Sequence, residues 1–346
     1  MNYKGYIGTY TKKTSKGIYS FTLDTENKKI TDVKLAAEIA GPTYLKITED
    51  KKYLYSIIKE GEQGGVAGFS IEKDGSLSAI NKQLVPGPNP CHINTDKNHR
   101  LLFSTNYHKG TVDSYQIKED GSVSRAVSTI QHEGSGPDHR QEKSHVHYAG
   151  MTPDEKYLVV VDLGSDRVLS YSVSESGELE EASRLSTPPG SGPRHLVFHP
   201  QRETIAYLVT ELSSEVLVLQ YDSNNGSFDI IQSAKTIPND FTENNQGSAI
   251  HVSSDGRFVY TGNRGHNSIA IFAADEKTGK LQFVEYTHTE GDWPRDFVLD
   301  PSESFLIVAN QESNNLVLFQ RNKETGILSL IQNDMEAPEP ICLKFV

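Results

Sequence analysis

Residues 247–274 read GSAIHVSSDGRFVYTGNRGHNSIAIFAA and alternate short apolar runs with polar turns. The run GSAIHV leads into the turn Ser254-Asp255-Gly256, after which come the more apolar run RFVYTGN and then NSIAIFAA. A further turn, Lys277-Thr278-Gly279, precedes a fourth run. Apolar runs of this length between turn residues are typical of β-strands, and no helical period is sustained. The stretch therefore predicts a unit of four short strands.

The same unit recurs along the whole chain. Its opening run begins near seven positions: Pro42, Pro90, Val146, Pro193, Gly247, Pro294 and Pro340. The steps between these positions are 48, 56, 47, 54, 47 and 46 residues. Repeats of about 40–50 residues with four strands each are typical of β-propeller blades. The repeat therefore predicts an all-β propeller, and a two-sheet sandwich would require the repeat to be accidental.

The number of units predicts how the ring closes. Six units are complete, whereas residues 340–346 supply only an opening strand and residues 3–39 supply strands two to four. A C-terminal strand that completes the N-terminal blade would remove the open edge of a linear array. We therefore expect one seven-bladed β-propeller domain over residues 1–346, although the length alone suggests about two domains.

Composition narrows the class of partner and compartment. The chain has 34 Lys and Arg against 46 Asp and Glu, a net charge of −12 with neutral histidines, which disfavours nucleic-acid binding. Its two cysteines cannot form a disulfide framework, and no stretch reaches the length of a membrane span or signal peptide. We expect a cytoplasmic protein without a membrane or nucleic-acid partner, monomeric or weakly dimeric.

Simple spacing gathers polar side chains at one end of the central channel. The first strand of each blade lines the channel, so the residue after each opening position lies at its mouth: Thr43, Cys91, His147, Arg194, Ser248, Arg295 and Ile341. The second strand runs antiparallel and ends at the same face. Its end falls at these positions: Asn106, Asp162, Glu211, Asn263 followed by Arg264, and Asn310.

The two longer intervals point to the same face. Their extra residues, HEGSGPDHRQEKSH (132–145) and IPNDFTENNQG (237–247), precede first strands and should lie over the mouth. Arginines and Lys143 in an otherwise acidic chain predict a local positive site. A small anionic molecule is the expected ligand.

Several long motifs carry a resemblance to a known family. They are GYIGTYT, HVHYAG, GPRHLVFHP, TELSSEV, GSAIHVSSDGRFVYTGNRGHNSIAIF and GDWPRDFVLDP. From Tyr3 to Val346 the chain resembles the propeller-type bacterial 6-phosphogluconolactonases, which are related to fungal carboxy-cis,cis-muconate cyclase. The resemblance implies a seven-bladed fold and lactone chemistry. In the cyclase branch the proposed site uses a histidine, two arginines and a glutamate, which match His147, Arg194, Arg264 and Glu211.

The resemblance suggests hydrolysis of 6-phospho-D-glucono-1,5-lactone, in the oxidative pentose phosphate pathway, without metal or cofactor. Glu211 or His147 would be the general base, and Arg194 would stabilise the oxyanion. Arg264 and Arg295 would hold the phosphate or ring oxygens. Further substrate-binding candidates are Asp162, Asn263, Lys143 and His195. The alternatives are a cycloisomerase or lactonase for another acidic lactone, such as a muconolactone, and a non-catalytic interaction platform.

Each candidate also has a structural interpretation. His145 and His147 share a strand face, but no third ligand completes a zinc site, and His145 would cap the strand. Asparagines at strand ends commonly bind turn backbone groups, and Asp162 would do the same. Glu211 and Arg264 would form an ion pair between blades. Arg140, in the longer loop, would be only solvated.

Overall fold

Seven four-stranded antiparallel sheets build the protein in this computed structural model, which describes residues 1–346. Every regular element is a strand, and none of the chain forms a helix long and apolar enough to cross a membrane. The seven-bladed β-propeller predicted from the repeat is confirmed.

Blade 1 joins the two ends of the chain. Its strands, from the inside outward, are β28 (Pro340–Phe345), β1 (Asn2–Thr9), β2 (Gly17–Asp24) and β3 (Lys29–Glu38). Within it, Ile7 of β1 pairs with Leu343 of β28. The C-terminal strand therefore completes the N-terminal blade, as the repeat predicts.

Blades 2 to 7 each use four consecutive strands, again from the inside outward. Blade 2 comprises β4 (Leu45–Ile47), β5 (Tyr53–Glu60), β6 (Gln63–Ile71) and β7 (Leu77–Pro86). Blade 3 comprises β8 (His92–Thr95), β9 (Leu101–Asn106), β10 (Thr111–Ile117) and β11 (Val123–Gln131). Blade 4 comprises β12 (Val146–Met151), β13 (Tyr157–Asp162), β14 (Arg167–Val173) and β15 (Leu179–Ser186). Blade 5 comprises β16 (Pro193–His199), β17 (Arg202–Thr210), β18 (Glu215–Asp222) and β19 (Ser227–Lys235). Blade 6 comprises β20 (Gln246–Val252), β21 (Phe258–Arg264), β22 (Ser268–Ala274) and β23 (Leu281–His288). Blade 7 comprises β24 (Pro294–Leu299), β25 (Phe305–Asn310), β26 (Asn315–Arg321) and β27 (Leu328–Glu336).

The predicted strand starts agree with the structure within one residue for blades 1 and 4 to 7. In blades 2 and 3 the first strands begin later, at Leu45 and His92. Before β4 the backbone turns back on itself, because the Thr43 N–H donates to the Gly41 carbonyl at 2.7 Å and not to a neighbouring strand.

The hydrophobic core lies between the blades. Seven clusters of buried apolar side chains occur, one at each interface between neighbouring blades. Between blades 1 and 7, for example, Ile7, Phe21 and Leu343 pack against Ile307 and Leu318. The innermost strands also contact one another in a complete cycle around the channel. The ring is therefore closed by the same packing at every interface.

A repeated hydrogen bond ties neighbouring blades together. At six interfaces a buried Tyr or Ser hydroxyl donates to the carbonyl of a turn glycine in the next blade: Tyr6 to Gly75, Tyr55 to Gly121, Ser114 to Gly177, Ser170 to Gly226, Tyr207 to Gly279 and Tyr260 to Gly326. All six glycines have φ between 70° and 96°, a left-handed conformation that glycine adopts without strain. The turns predicted from the glycines thus also connect the blades.

Candidate active site

A cavity of about 830 Å³ opens at the end of the ring where the first strands begin and the second strands end. Pockets for small molecules usually measure about 300–1,000 Å³. Six of the seven predicted mouth positions line it: Thr43, Cys91, His147, Arg194, Arg295 and Ile341. The seventh, Ser248, is buried, and its hydroxyl donates to the Pro294 carbonyl at 2.8 Å.

Glu211 is the centre of a buried ion cluster in the cavity wall. Its Oε2 accepts a hydrogen bond from Arg194 Nε at 3.0 Å and forms an ion pair with Arg264 Nη2 at 2.7 Å, and its Oε1 accepts a hydrogen bond from Arg140 Nη2. Burial would raise the pKa of Glu211, but the three guanidiniums outweigh this effect and hold the pKa well below its ordinary value. Glu211 therefore stays ionised and is a poor proton acceptor.

The two buried arginines are held so that part of each guanidinium remains free. Arg194 donates from Nη1 to the Ser248 carbonyl at 2.6 Å, whereas its Nη2 has no partner within the protein. Arg264 donates from Nη2 to the Gly247 carbonyl at 2.8 Å, and its guanidinium lies 5.7 Å from the Trp293 ring centre. Backbone and carboxylate thus fix both side chains, and the free nitrogens can donate to a bound anion.

His147 is the neutral base of the cavity. Its side chain is buried and its Nδ1 is enclosed by the protein, whereas its Nε2 is not enclosed and has no hydrogen-bond partner. Burial is the main cause that lowers its pKa well below the ordinary value, and Arg194 and Arg295 lower it further. An uncharged imidazole with one unpartnered nitrogen can accept a proton from a water molecule.

Aromatic side chains continue from His147 into the centre of the ring. The ring centres of His147 and His195 are 5.0 Å apart, those of His195 and His92 5.3 Å, and those of His92 and Tyr44 4.4 Å. His195 lines the cavity as predicted, with Nε2 at 3.3 Å from Arg194 Nη1. Burial lowers the pKa of both His92 and His195 well below the ordinary value, so these rings are neutral.

The cavity is strongly positive in a negative protein. Six cationic side chains line it against two carboxylates, Glu211 and Asp296, which leaves a surplus of four positive charges; the cations are Lys12, Lys59, Arg140, Arg194, Arg264 and Arg295. Such a concentration of one sign of charge attracts small anions. This arrangement is the one predicted for an anionic ligand.

Three predicted substrate-binding residues do not line the cavity. Asp162 is buried and accepts hydrogen bonds from the Ser144 and Ser165 hydroxyls, both at 2.7 Å. Asn263 is buried and donates to the Thr236 carbonyl at 2.7 Å. Because their polar atoms are taken by neighbouring loops, both residues act as strand-end braces, and we leave them out of the proposed site.

Lys143 is the third residue outside the cavity. It is exposed, and its Nζ donates to the His108 carbonyl at 2.8 Å. It belongs to the predicted loop, but the residue of that loop that reaches the cavity is Arg140, which the sequence suggested to be only solvated. The length and position of the loop indicated that it reaches the cavity. Which of its two cations, Arg140 or Lys143, points into the cavity depends on the path of the backbone, which the sequence does not show.

His145 has the structural role expected of it. Its Nδ1 lies 2.8 Å from the Tyr107 carbonyl and its Nε2 3.1 Å from Glu142 Oε2, while its ring stacks on Tyr107. Both nitrogens are occupied, so His145 does not pair with His147 as a ligand. No group of three His, Cys, Asp or Glu side chains with metal-binding geometry occurs in the chain.

Fold and site together define a propeller with a positively charged cavity of the size that small molecules occupy. The chain matches the family described as "Lactonase, 7-bladed beta-propeller" over residues 4–345. It is 51% identical to the 6-phosphogluconolactonase of Bacillus subtilis over 345 residues, which cover 99% of this chain and 98% of that protein. The chain therefore belongs to the seven-bladed β-propeller lactonase family.

Solved structures agree with this assignment. A Lactobacillus plantarum protein superposes with a TM-score of 0.97 at 44% identity over all of both chains. The periplasmic gluconolactonase PpgL of Pseudomonas aeruginosa superposes with a TM-score of 0.95 at 32% identity, over 100% of this chain and 99% of that one. The propeller fold is thus common to relatives from different bacteria.

Proposed function

We propose that this protein hydrolyses 6-phospho-D-glucono-1,5-lactone to 6-phosphogluconate. The observation that carries the proposal is the pairing of neutral His147 with free guanidinium nitrogens of Arg194 and Arg264 in one positive cavity. The 51% identity to the Bacillus subtilis 6-phosphogluconolactonase supports the choice of substrate. The substrate is a small anionic lactone, which fits the charge and volume of the cavity.

In the proposed reaction His147 Nε2 takes a proton from a water molecule while the water oxygen forms a bond to the lactone carbonyl carbon. The carbonyl oxygen becomes an oxyanion, which Arg194 Nη2 stabilises because it is held in place by Glu211 and Ser248. Cleavage of the bond between this carbon and the ring oxygen follows. His147 returns its proton to that oxygen, and the new carboxylic acid loses its proton to solvent.

Glu211 has a positioning role in this scheme. It holds three guanidiniums, and its low pKa leaves His147 as the general base. Of the two candidate bases that the sequence left open, Glu211 and His147, His147 is therefore the one proposed to take the proton.

Unphosphorylated glucono-1,5-lactone is a second candidate substrate. The name of the Pseudomonas aeruginosa relative, a gluconolactonase, favours it. The surplus positive charge of the cavity favours the phosphorylated lactone. The cytoplasmic location and the monomeric or weakly dimeric state remain predictions from the sequence.

The test is lactone hydrolysis by the purified, chelator-treated protein, measured against spontaneous hydrolysis. Arg194→Ala should lower kcat for 6-phosphogluconolactone by about 10²–10³-fold, because it removes the oxyanion donor. Arg184→Ala is the matched control, since Arg184 is exposed on β15 and pairs only with Glu181. It should leave kcat unchanged, and thermal denaturation should show that both variants are folded.

Two outcomes would contradict the proposal. Absence of acceleration for either lactone would remove the assigned reaction, and muconolactones would be tested next. Near-normal turnover of Arg194→Ala would remove its oxyanion role while leaving the substrate assignment in place.

A further inference from the structure

We infer that Tyr10, Lys12 and Arg295 form the subsite for the phosphate group of the substrate, and that Glu339 positions the loop that carries Lys12. This inference rests on the proposed function and deepens it. Lys12 and Tyr10 belong to the segment between β1 and β2, and Arg295 lies on β24 in the neighbouring blade 7. All three subsite residues line the cavity.

Two cations of the cavity, Lys12 and Arg295, both lie against the aromatic ring of Tyr10. Lys12 Nζ lies 4.0 Å from the centre of the Tyr10 ring, and the Arg295 guanidinium carbon lies 5.3 Å from it. An aromatic face attracts cations, so one ring can hold two positive groups near each other despite their repulsion. The two groups together suit a doubly charged anion.

Neither cation has an acidic partner. No carboxylate lies within 4.0 Å of Lys12 Nζ or of the Arg295 guanidinium, whereas Arg140, Arg194 and Arg264 all contact Glu211. Two unpaired cations at one aromatic ring have no charge of opposite sign to offset them, and a bound phosphate would neutralise them. Lys59 is also unpaired, but only Lys12 and Arg295 share the Tyr10 ring. The cavity thus has a Glu211 cluster for the reacting ester and unpaired cations at Tyr10 for a second anionic group.

Glu339 gives the Lys12 loop its shape. The residue is only 5% exposed, and its carboxylate accepts hydrogen bonds from the backbone N–H groups of Lys12 at 3.0 Å, Lys13 at 2.9 Å and Ser15 at 3.2 Å. Its own N–H donates to Asn314 Oδ1 at 2.9 Å. Its φ of 48° is a left-handed conformation that costs energy for a residue other than glycine. These contacts hold the loop in place before any ligand binds.

The experiment compares phosphorylated and unphosphorylated ligands. Lys12→Ala and Arg295→Ala should raise KM for 6-phosphogluconolactone, and Kd for 6-phosphogluconate measured by calorimetry, about tenfold or more. KM for glucono-1,5-lactone and Kd for gluconate should stay unchanged. Lys13→Ala is the matched control, because the Lys13 ammonium lies outside the cavity and pairs with Glu312 at 3.6 Å. It should change none of these values.

The binding measurement separates this inference from the proposed function. Wild-type protein that binds 6-phosphogluconate more tightly than gluconate, but hydrolyses neither lactone, would retain the subsite and remove the reaction. Equal effects of Lys12→Ala on both classes of ligand, or no effect on either, would overturn the subsite.

Glu339→Gln tests the positioning role. It should raise KM for the phosphorylated lactone without lowering kcat, and it should leave the unphosphorylated lactone unaffected. Asn314→Ala, which removes the hydrogen bond to the Glu339 N–H, should give the same pattern more weakly if Glu339→Gln does not fold. A lower melting temperature with unchanged KM in both variants would show that Glu339 only stabilises the fold.

Discussion

Glu211 and His147 lie in the same cavity, yet their surroundings give them opposite properties. Three guanidiniums keep the Glu211 carboxylate charged, whereas burial keeps the His147 imidazole neutral. A carboxylate that already pairs with three guanidiniums has little capacity to take a proton from water. An uncharged imidazole with an unpartnered nitrogen has that capacity. The proton is therefore assigned to the histidine.

We predict that His147→Asn lowers kcat by about 10²–10⁴-fold while the melting temperature stays close to that of the wild type, because a general base is lost without breaking an ion pair. Glu211→Gln should lower the free energy of unfolding by about 3–5 kcal/mol, since it leaves buried guanidiniums without their carboxylate. Steady-state kinetics and urea denaturation of both variants check this prediction.

The reverse pattern would reassign the base. A Glu211→Gln variant of normal stability without activity, beside an active His147→Asn variant, would show that Glu211 accepts the proton. Arg184→Ala again serves as the control for the loss of an ordinary surface ion pair.

At the scale of single elements, β28 is the strand that closes the ring. It is the innermost strand of blade 1, pairs with β1 and contacts both β24 and β4. Leu343 of this strand is fully buried among side chains of blades 1 and 7. The strand therefore joins the two ends of the chain and completes an interface between blades.

We predict that Leu343→Ala lowers the free energy of unfolding by about 2–5 kcal/mol, because it removes buried apolar atoms and leaves a cavity at the closure. Leu330→Ala is the matched control, since Leu330 lies on the outer strand β27 and is 46% exposed. It should change stability by less than about 0.5 kcal/mol. Equal effects of the two substitutions in urea denaturation would show that the closure is not a sensitive interface.

At the scale of the whole molecule, three neutral histidines lie buried in the central channel. His92, His147 and His195 come from three different blades and meet in the channel, where burial lowers the pKa of each well below 6.5. In the unfolded chain these side chains titrate near about 6.5. Below that pH the unfolded state binds more protons than the folded state, so acid favours unfolding.

We predict that the urea midpoint falls as the pH is lowered from 7.5 to 5.5. Asp162 adds little in this window. Burial raises its pKa, but hydrogen bonds from His132, Ser165 and Ser144 outweigh burial and lower the pKa to about 2, so its contribution to stability is lost only below about pH 4. His92→Phe, which cannot take up a proton, should reduce the fall. His139→Gln should not, because the His139 side chain is 87% exposed. A midpoint independent of pH, or an identical fall in both variants, would contradict the prediction.

Much of the fold and part of the site followed from spacing alone. Strand period and turn residues are local properties, so a repeat near 47 residues was enough to predict seven blades and the split blade 1. The same register placed His147, Arg194 and Arg295 at the cavity, because a strand's position in a blade fixes which end of the channel its residues reach. Arg264 followed from the antiparallel return of the second strand, whereas Glu211 lies one residue beyond the end of its second strand, because Thr210 is the residue that pairs with Pro193.

The tertiary structure decided which polar side chains face the cavity and which face the backbone. Asp162 pairs with Val146, the first residue of its inner strand, and is held by Ser144 and Ser165. In blade 5 Thr210 takes the equivalent place, and Glu211, one residue further, meets Arg140, 71 positions earlier in the chain. Lys12 is likewise placed by Glu339, 327 positions later. Such partners lie on loops outside the repeat and are brought together only by closure of the ring, so no local pattern could specify them.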